Sequence, residues 1–366
     1  MDKIRMVDVR LGDEELQNIT NAVKTSWISS KGAYLEEFEK GFSSYIGTKH
    51  GIATTNGTTA IHLALVALGI KKGDEVLVPT FTHISNAFTV TYTGAKPVFM
   101  DSHADYWCID PQKIEDKITS KTKAIVLVHI YGHPCDMDPI MEIANRHGLP
   151  VIEDCAEAHG AEYKSRKVGT FGTINCFSFY GNKIITTGEG GMCLTNDEEL
   201  AARMRMLKDM GINPNNPTKK KYWFEIVGYN YRMTNLQAAI GAAQVKRLDD
   251  MVEKRRWVAS TYNKFLKDAP GVVTHPEMAW AKNVYWYYTI LVEKRKRDKL
   301  IDDLEARNIE SRPAFYPIHK LPVYRKRENL PVAADLGARG INLPSGPSLT
   351  EEQIAYIVDA IKESLK

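Results

Sequence analysis

A chain of 366 residues is longer than a single hydrophobic core usually grows, so a large domain and a smaller one are expected. Hydrophobic residues at 43% and charged residues at 25% are ordinary for a globular protein and exclude disordered or collagen-like classes. With 48 basic and 45 acidic residues the formal charge is +3, too balanced to argue for a nucleic-acid partner. Met1-Asp2-Lys3-Ile4-Arg5 is not followed by the apolar stretch of a signal peptide. No run approaches the ~18 apolar residues that would span a bilayer, so no membrane contact and a cytoplasmic address are expected. The five cysteines are odd in number and show neither a C-x-x-C pair nor metal-like spacing with histidine; they read as reduced, buried thiols, and no metal is expected.

Along the chain, Leu16, Ile19 and Val23 recur at helical intervals and predict a helix over 14–24. The polar loop Trp27-Ile28-Ser29-Ser30-Lys31-Gly32 follows, either a connector or the wall of a site. Leu35, Phe38 and Phe42 mark a second helix over 34–45. Asn56-Gly57-Thr58-Thr59 then opens an apolar helix, where free N–H groups and hydroxyls at the positive end of a helix dipole would cradle a phosphate. An ordinary Asn or Thr N-cap reads much the same.

Apolar runs at 76–78, 97–100, 124–128, 150–152 and 176–179 alternate with helical segments, the pattern of a mostly parallel sheet covered on both faces. Ligands of such α/β sheets gather at the carboxyl ends of strands, and Asp154 stands at one of them. Alternatively, Asp154 caps a helix starting near Ala156. A helix is expected over 196–209 and a mobile loop over 211–221. The longest helical pattern covers 234–268, with Leu236, Ile240, Ala243, Leu248, Met251 and Val252 in phase. The domain boundary is placed inside it, giving a large domain over 1–245 and a small α+β domain over 246–366. The latter carries the aromatic run Tyr285-Trp286-Tyr287-Tyr288, a helix over 297–307, a Pro- and His-rich loop over 312–324 and a closing helix from Thr350.

Lys183 lies between the aromatic run Phe177-Ser178-Phe179-Tyr180 and a glycine-rich stretch ending at Gly190-Gly191. Taken alone it is a surface lysine in a glycine turn. Apolar neighbours such as Ile184 and Ile185 would instead disfavour its charged form and make it a carbonyl-trapping amine. A phosphate cradle at 57–59, an acid at Asp154 and an amine at Lys183 together fit pyridoxal 5′-phosphate. That cofactor needs donors for its phosphate, a carboxylate for its ring nitrogen and a lysine for its aldehyde.

Across nearly its whole length the chain resembles the DegT/DnrJ/EryC1/StrS sugar aminotransferases. The motifs that carry the resemblance are Thr25 to Gly32, His129-Ile130-Tyr131-Gly132-His133-Pro134-Cys135-Asp136-Met137-Asp138, Gly181-Asn182-Lys183 through Gly191, Gly228-Tyr229-Asn230-Tyr231-Arg232-Met233-Thr234-Asn235 and Glu310-Ser311-Arg312-Pro313. The resemblance implies the aspartate-aminotransferase fold (fold type I). It makes Lys183 the lysine bonded to the cofactor, Asp154 the partner of its ring nitrogen and Glu157 the group near its ring hydroxyl. Gly57, Thr58 and Ser178 would hold the phosphate, with Asn230 of a neighbouring subunit, so a homodimer with shared active sites is implied. His83 stands where many relatives stack an aromatic residue on the cofactor, and Glu157 where many have glutamine.

The implied reaction takes an amino group from L-glutamate, through pyridoxamine 5′-phosphate, to the 4-keto carbon of a nucleotide-linked 6-deoxyhexose. GDP-4-keto-6-deoxymannose is the expected acceptor, with a UDP- or dTDP-linked ketone as the alternative. Arg232 is the candidate ligand for the donor's carboxylate, and Trp27, Ser29, Lys31, Arg312, Tyr316 and His319 are candidates for the nucleotide sugar. Two rivals share the fold: a sugar dehydratase, which carries histidine where this chain has Lys183, and a regulator without activity, which intact Lys183, Asp154 and Ser178 disfavour.

Overall fold

The computed structural model describes residues 2–213, 220, 222–325 and 328–366. Strands β1 (His50–Thr54), β2 (Glu75–Pro79), β3 (Lys96–Met100), β4 (Thr122–Val128) and β5 (Val151–Asp154) are followed by the two-residue strands β6 (Glu162–Tyr163) and β7 (Arg166–Lys167), then by β8 (Ile174–Ser178) and β9 (Gly191–Thr195). Seven of them form one sheet in the order β1-β9-β8-β5-β4-β2-β3. β3, β2, β4, β5 and β8 run parallel, whereas β9 runs antiparallel to both β8 and β1.

The apolar runs read as continuous because both faces of the sheet are covered. Leu77, Ile125, Leu127 and Phe177 join a core on one side, while Val76, Val78, Val126 and Cys176 join a core on the other. Helices α1 (Asp13–Lys24), α2 (Ala33–Ile46), α3 (Gly57–Ala67), α4 (Ser85–Tyr92), α5 (Met137–His147), α6 (Glu198–Lys208) and α7 (Asn235–Lys246) accompany it. The C-terminal part comprises α8 (Leu248–Leu266), β10 (Ala281–Lys282), β11 (Tyr288–Leu291), α9 (Lys294–Glu305), β12 (Arg312–Pro313), α10 (Pro331–Arg339), β13 (Gly340–Leu343) and α11 (Glu351–Leu365), and a third core lies among α8, β11, α9, β13 and α11. There Tyr262, Tyr288, Leu300, Ile341 and Ile357 pack together, and β11, β13 and β12 form an antiparallel sheet.

The helical pattern over 234–268 resolves into two helices rather than one. Arg247 leaves helical geometry at φ −112° and ψ 12°, and its guanidinium is bound to Glu15 on α1. No helix begins near Ala156: the residues after Asp154 form turns, and Asp154 Oδ1 accepts from the Ala156 N–H at 3.0 Å. Most of the loop expected over 211–221 lies outside the described residues. All five cysteines are buried and unbridged. Among the described residues no helix is long and apolar enough to cross a membrane.

Candidate active site

β1, β5 and β8 all point their carboxyl ends to one edge of the sheet, where β1 turns through Thr55 and Asn56 into α3. The turn is fixed by a reciprocal cap: Asn56 Oδ1 accepts from the Thr59 N–H at 2.9 Å, and Thr59 Oγ1 accepts from the Asn56 N–H at 3.1 Å. A cavity of about 540 Å³ opens in front of it, lined by Gly57, Thr58, Asp154, Glu157, Ser178 and Lys183 among others. A Cβ on Gly57 would lie 2.7 Å from the Ser178 Cβ, so only glycine lets the first turn of α3 approach the end of β8. The result is a helix N-terminus with a serine hydroxyl beside it, a donor set that suits a phosphate.

Asp154 is buried, and Asn86 Nδ2 donates to its Oδ2 at 2.8 Å. The carboxylate is thereby aimed from both oxygens. Glu157 is also buried and accepts the Tyr131 N–H at 2.6 Å. Burial pushes its carboxyl up to about 8, Lys183 and the Tyr131 N–H opposing the rise and Asp154 adding to it. Burial likewise lowers Lys183 from the ordinary lysine value, assisted by the buried Arg255 cation and opposed by Glu157 and Asp154. Its Nζ sits 3.6 Å from the centre of the Trp286 ring, and the Trp286 indole N–H donates to the Asn182 carbonyl at 2.7 Å. The amine is thus held in a largely desolvated setting, which lowers its hold on a proton relative to a free lysine.

His83 lines the same cavity, and burial, with the Lys183 charge, lowers its imidazole below the usual histidine range. Its Nδ1 accepts from the Ser85 N–H at 3.3 Å and meets Ser85 Oγ at 2.9 Å, leaving Nε2 to carry the proton. Its ring meets Phe315 edge-on at 6.1 Å.

Gly57, Thr58, His83, Asp154, Glu157, Ser178, Lys183 and Arg312 therefore share one cavity. Thr59 does not line it, because its hydroxyl is spent on the cap. Trp27 and Lys31 line a different cavity of about 760 Å³ beside Lys208 and Asn235, and Ser29 is exposed with its carbonyl accepting from the Asn235 N–H. Asn230 is exposed, and Arg232 pairs with Asp209 at 2.6 Å. Tyr316 is exposed, with the Arg297 guanidinium 5.9 Å from its ring centre. His319 is buried with Nδ1 2.8 Å from Thr80 Oγ1, which ties its loop to the end of β2.

The sequence reading did not assign a site role to Asn86, Asn182, Trp286, Tyr287, Phe315 or Asn342. The aromatic run at 285–288 was a signal for Trp286 and Tyr287; nothing local marked Asn86. His129, Glu153 and Cys155 are close enough to gather an ion. Yet His129 is already engaged at both nitrogens by Glu153 and the Cys135 N–H, and Glu153 takes the N–H groups of Gly169, Phe171 and Gly172. That cluster is a satisfied core network around the 169–172 turn.

A desolvated lysine, a buried aspartate and a glycine-opened helix N-terminus thus meet at the carboxyl edge of the α/β sheet, in a chain that is a pyridoxal-phosphate-dependent aminotransferase. The chain belongs to the DegT/DnrJ/EryC1/StrS aminotransferase family, whose model matches residues 9–362. It is 48% identical to the GDP-perosamine synthase of Caulobacter vibrioides, over 100% of this chain and 99% of that protein. It is 46% identical to the GDP-perosamine synthase of Escherichia coli O157:H7, over 99% of each. Among solved structures, S. venezuelae DesV in complex with a ketimine intermediate superposes with a TM-score of 0.93 at 35% identity, over 100% of this chain and 99% of that one.

Proposed function

We propose that this aminotransferase moves the amino group of L-glutamate to the 4-keto carbon of GDP-4-keto-6-deoxymannose, giving 2-oxoglutarate and GDP-perosamine. The observation that carries the reading is the end-to-end similarity to GDP-perosamine synthases, joined to a cavity that brings together Lys183, Asp154, Glu157 and the donor set of Gly57, Thr58 and Ser178. When bound, pyridoxal phosphate supplies the aldehyde that accepts the amine and a protonated ring that spreads the charge left on carbon when a proton departs.

The chain's own residues then have separable tasks. Gly57, Thr58 and Ser178 would hold the phosphate. Asp154, fixed by Asn86 and the Ala156 N–H, would keep the ring nitrogen protonated. Glu157, whose carboxyl burial pushes up to about 8, would share a proton with the ring oxygen in a hydrogen bond. Lys183, whose hold on a proton is lowered by burial, would take the proton from the donor's α-carbon and return one to the acceptor side.

Arg312 is the one candidate sugar-nucleotide contact of this chain within the Lys183 cavity, and we assign it to the acceptor. Trp27, Lys31, Asn230 and Arg232 lie elsewhere on the same chain, which supports a homodimer in which they complete the partner's site. Tyr222, Trp223, Phe224 and Val227 form an exposed apolar stretch close in sequence to Asn230 and Arg232, as a subunit interface would.

Purified protein should carry a visible cofactor band that L-glutamate bleaches, and should aminate GDP-4-keto-6-deoxymannose in preference to UDP- or dTDP-linked 4-keto sugars. Lys183→Ala should abolish the covalent attachment and lower turnover at least ~10³-fold. Undiminished turnover in that variant would sink the mechanism, and preference for a gluco-configured dTDP-ketone would sink the acceptor assignment alone.

A further inference from the structure

Tyr131 follows β4 fully buried, yet its backbone sits at φ 53° and ψ 15°, a left-handed conformation that bulky residues seldom adopt. Such strain persists only where the surroundings over-determine it. Every polar group of Tyr131 is engaged. Its N–H donates to Glu157 Oε2 at 2.6 Å, its carbonyl accepts from the Trp286 N–H at 2.9 Å, and its hydroxyl accepts from the Phe315 N–H at 3.0 Å. Its ring lies parallel to that of Phe315, with centres 5.4 Å apart and planes 4° apart. Gly132 continues the turn at φ 101°, where a Cβ would come within 2.8 Å of the Tyr285 nitrogen. The peptide around Tyr131 is therefore clamped from both sides, and rotating it to an ordinary conformation would turn its N–H away from Glu157.

Three of these partners line the Lys183 cavity: Glu157 from the turns after β5, Trp286 and Phe315 from the C-terminal part. Phe315 ends the segment that brings Arg312 and Pro313 into that cavity. We propose that Tyr131 is a positioning residue that sets the 312–315 wall, and with it Arg312, at a fixed place relative to Glu157. The inference rests on the assignment of Arg312 to the acceptor. It assigns Tyr131 to the second half of the reaction, where a nucleotide-linked ketone must be presented to the loaded amine.

Tyr131→Phe in the holoenzyme removes only the hydroxyl, keeping the ring and the N–H to Glu157. The KM for the acceptor should rise about 5- to 10-fold, the loss expected when a positioning contact loosens by a fraction of an ångström. The rate at which L-glutamate bleaches the cofactor band, and the band itself, should stay within about twofold, since Lys183, Asp154 and Glu157 are untouched. In an Arg312→Ala background the same change should add less than about twofold, because the two act through one segment. Phe315→Ala, which loses the stacked ring but keeps the N–H donor, should give the same acceptor-selective rise. Equal slowing of both halves, loss of the band, full multiplicativity with Arg312→Ala, or an unchanged acceptor KM would each overturn the proposal. The comparison is made on whichever nucleotide-linked ketone the wild type aminates, so failure of the GDP-sugar assignment shows separately, as a different preferred acceptor.

Discussion

Glu157 and Lys183 are ionisable groups that burial pushes toward their neutral forms, the carboxyl up to about 8 and the amine down. An acid whose proton is held more tightly in the folded chain than in the unfolded one contributes stability that is full below its unfolded value, 4.5, and fades as pH rises to about 8. In cofactor-stripped protein, the stability of wild type relative to Glu157→Gln should therefore fall between pH 4.5 and 8, with a slope approaching about 1.4 kcal/mol per pH unit. Urea titrations of both proteins across that window check it, and parallel curves would mean that Glu157 is ionised. Asp154→Asn makes a sharper test of the other carboxylate. An amide in its place cannot hold the ring nitrogen protonated, so amine transfer should slow on the order of 10²–10³-fold while the fold and some cofactor binding survive. Near-normal rates would reduce Asp154 to the anchor of the turn at Ala156. Lys183 and Asp154 were legible in the sequence because each stands beside an apolar strand-like run. Asn86 and Trp286 were not, because they meet the site only through folding: Asn86 lies 68 residues before the carboxylate it orients.

The helix that opens at Gly57 shows how one residue of an expected set turns away from a cavity that its neighbours line. A cradle and an N-cap read alike in the sequence; the structure shows the cap, closed by Asn56 and Thr59, with Gly57 and Thr58 lining the cavity in front of it. Thr59 was grouped with the cradle because sequence cannot tell which of two adjacent threonines turns inward. Gly57→Ala should force the Cβ against Ser178, 2.7 Å away, and separate α3 from β8. Cofactor affinity should drop at least about tenfold and stability by about 1–3 kcal/mol, the usual cost of overpacking. Equilibrium dialysis and thermal melts measure both, and an alanine variant with unchanged affinity would refute the close-approach account. The parallel strands were visible as apolar runs since both their faces are buried. β1 and β9 escaped notice because His50-Gly51-Ile52-Ala53-Thr54 and Gly191-Met192-Cys193-Leu194-Thr195 are short, glycine-bearing and flanked by turns. The division of the 234–268 pattern into α7 and α8 was equally hidden: the apolar phase runs on through Arg247, and the break comes with its long-range bond to Glu15.

At the scale of the whole molecule, the residues assigned to one reaction fall into two groups. Gly57, Asp154, Ser178, Lys183 and Arg312 share a cavity, whereas Trp27, Lys31, Asn230 and Arg232 of the same chain do not reach it. Arg232 instead pairs with Asp209, half-exposed beside the apolar stretch at 222–227. In a two-fold dimer each site would draw its cofactor lysine from one chain and its second group from the other. That arrangement makes a prediction that single variants cannot. Lys183→Ala and Arg232→Ala homodimers should each be inactive, one lacking the amine and the other the ligand for the donor's carboxylate. When subunits are exchanged between them, half of the dimers formed at random are mixed by simple statistics. One site of every mixed dimer combines both lesions, while the other joins an intact Lys183 to an intact Arg232 from the partner. Activity should therefore return to about a quarter of the wild-type value per total site, because one site in two is whole in one dimer out of two. If Arg232 served the Lys183 of its own chain, every site would keep one lesion and mixing would restore nothing. Subunit exchange followed by native mass spectrometry, with turnover measured on the same samples, separates the two arrangements: mixed dimers without recovered turnover would refute the shared site and leave the chemistry of Lys183 intact.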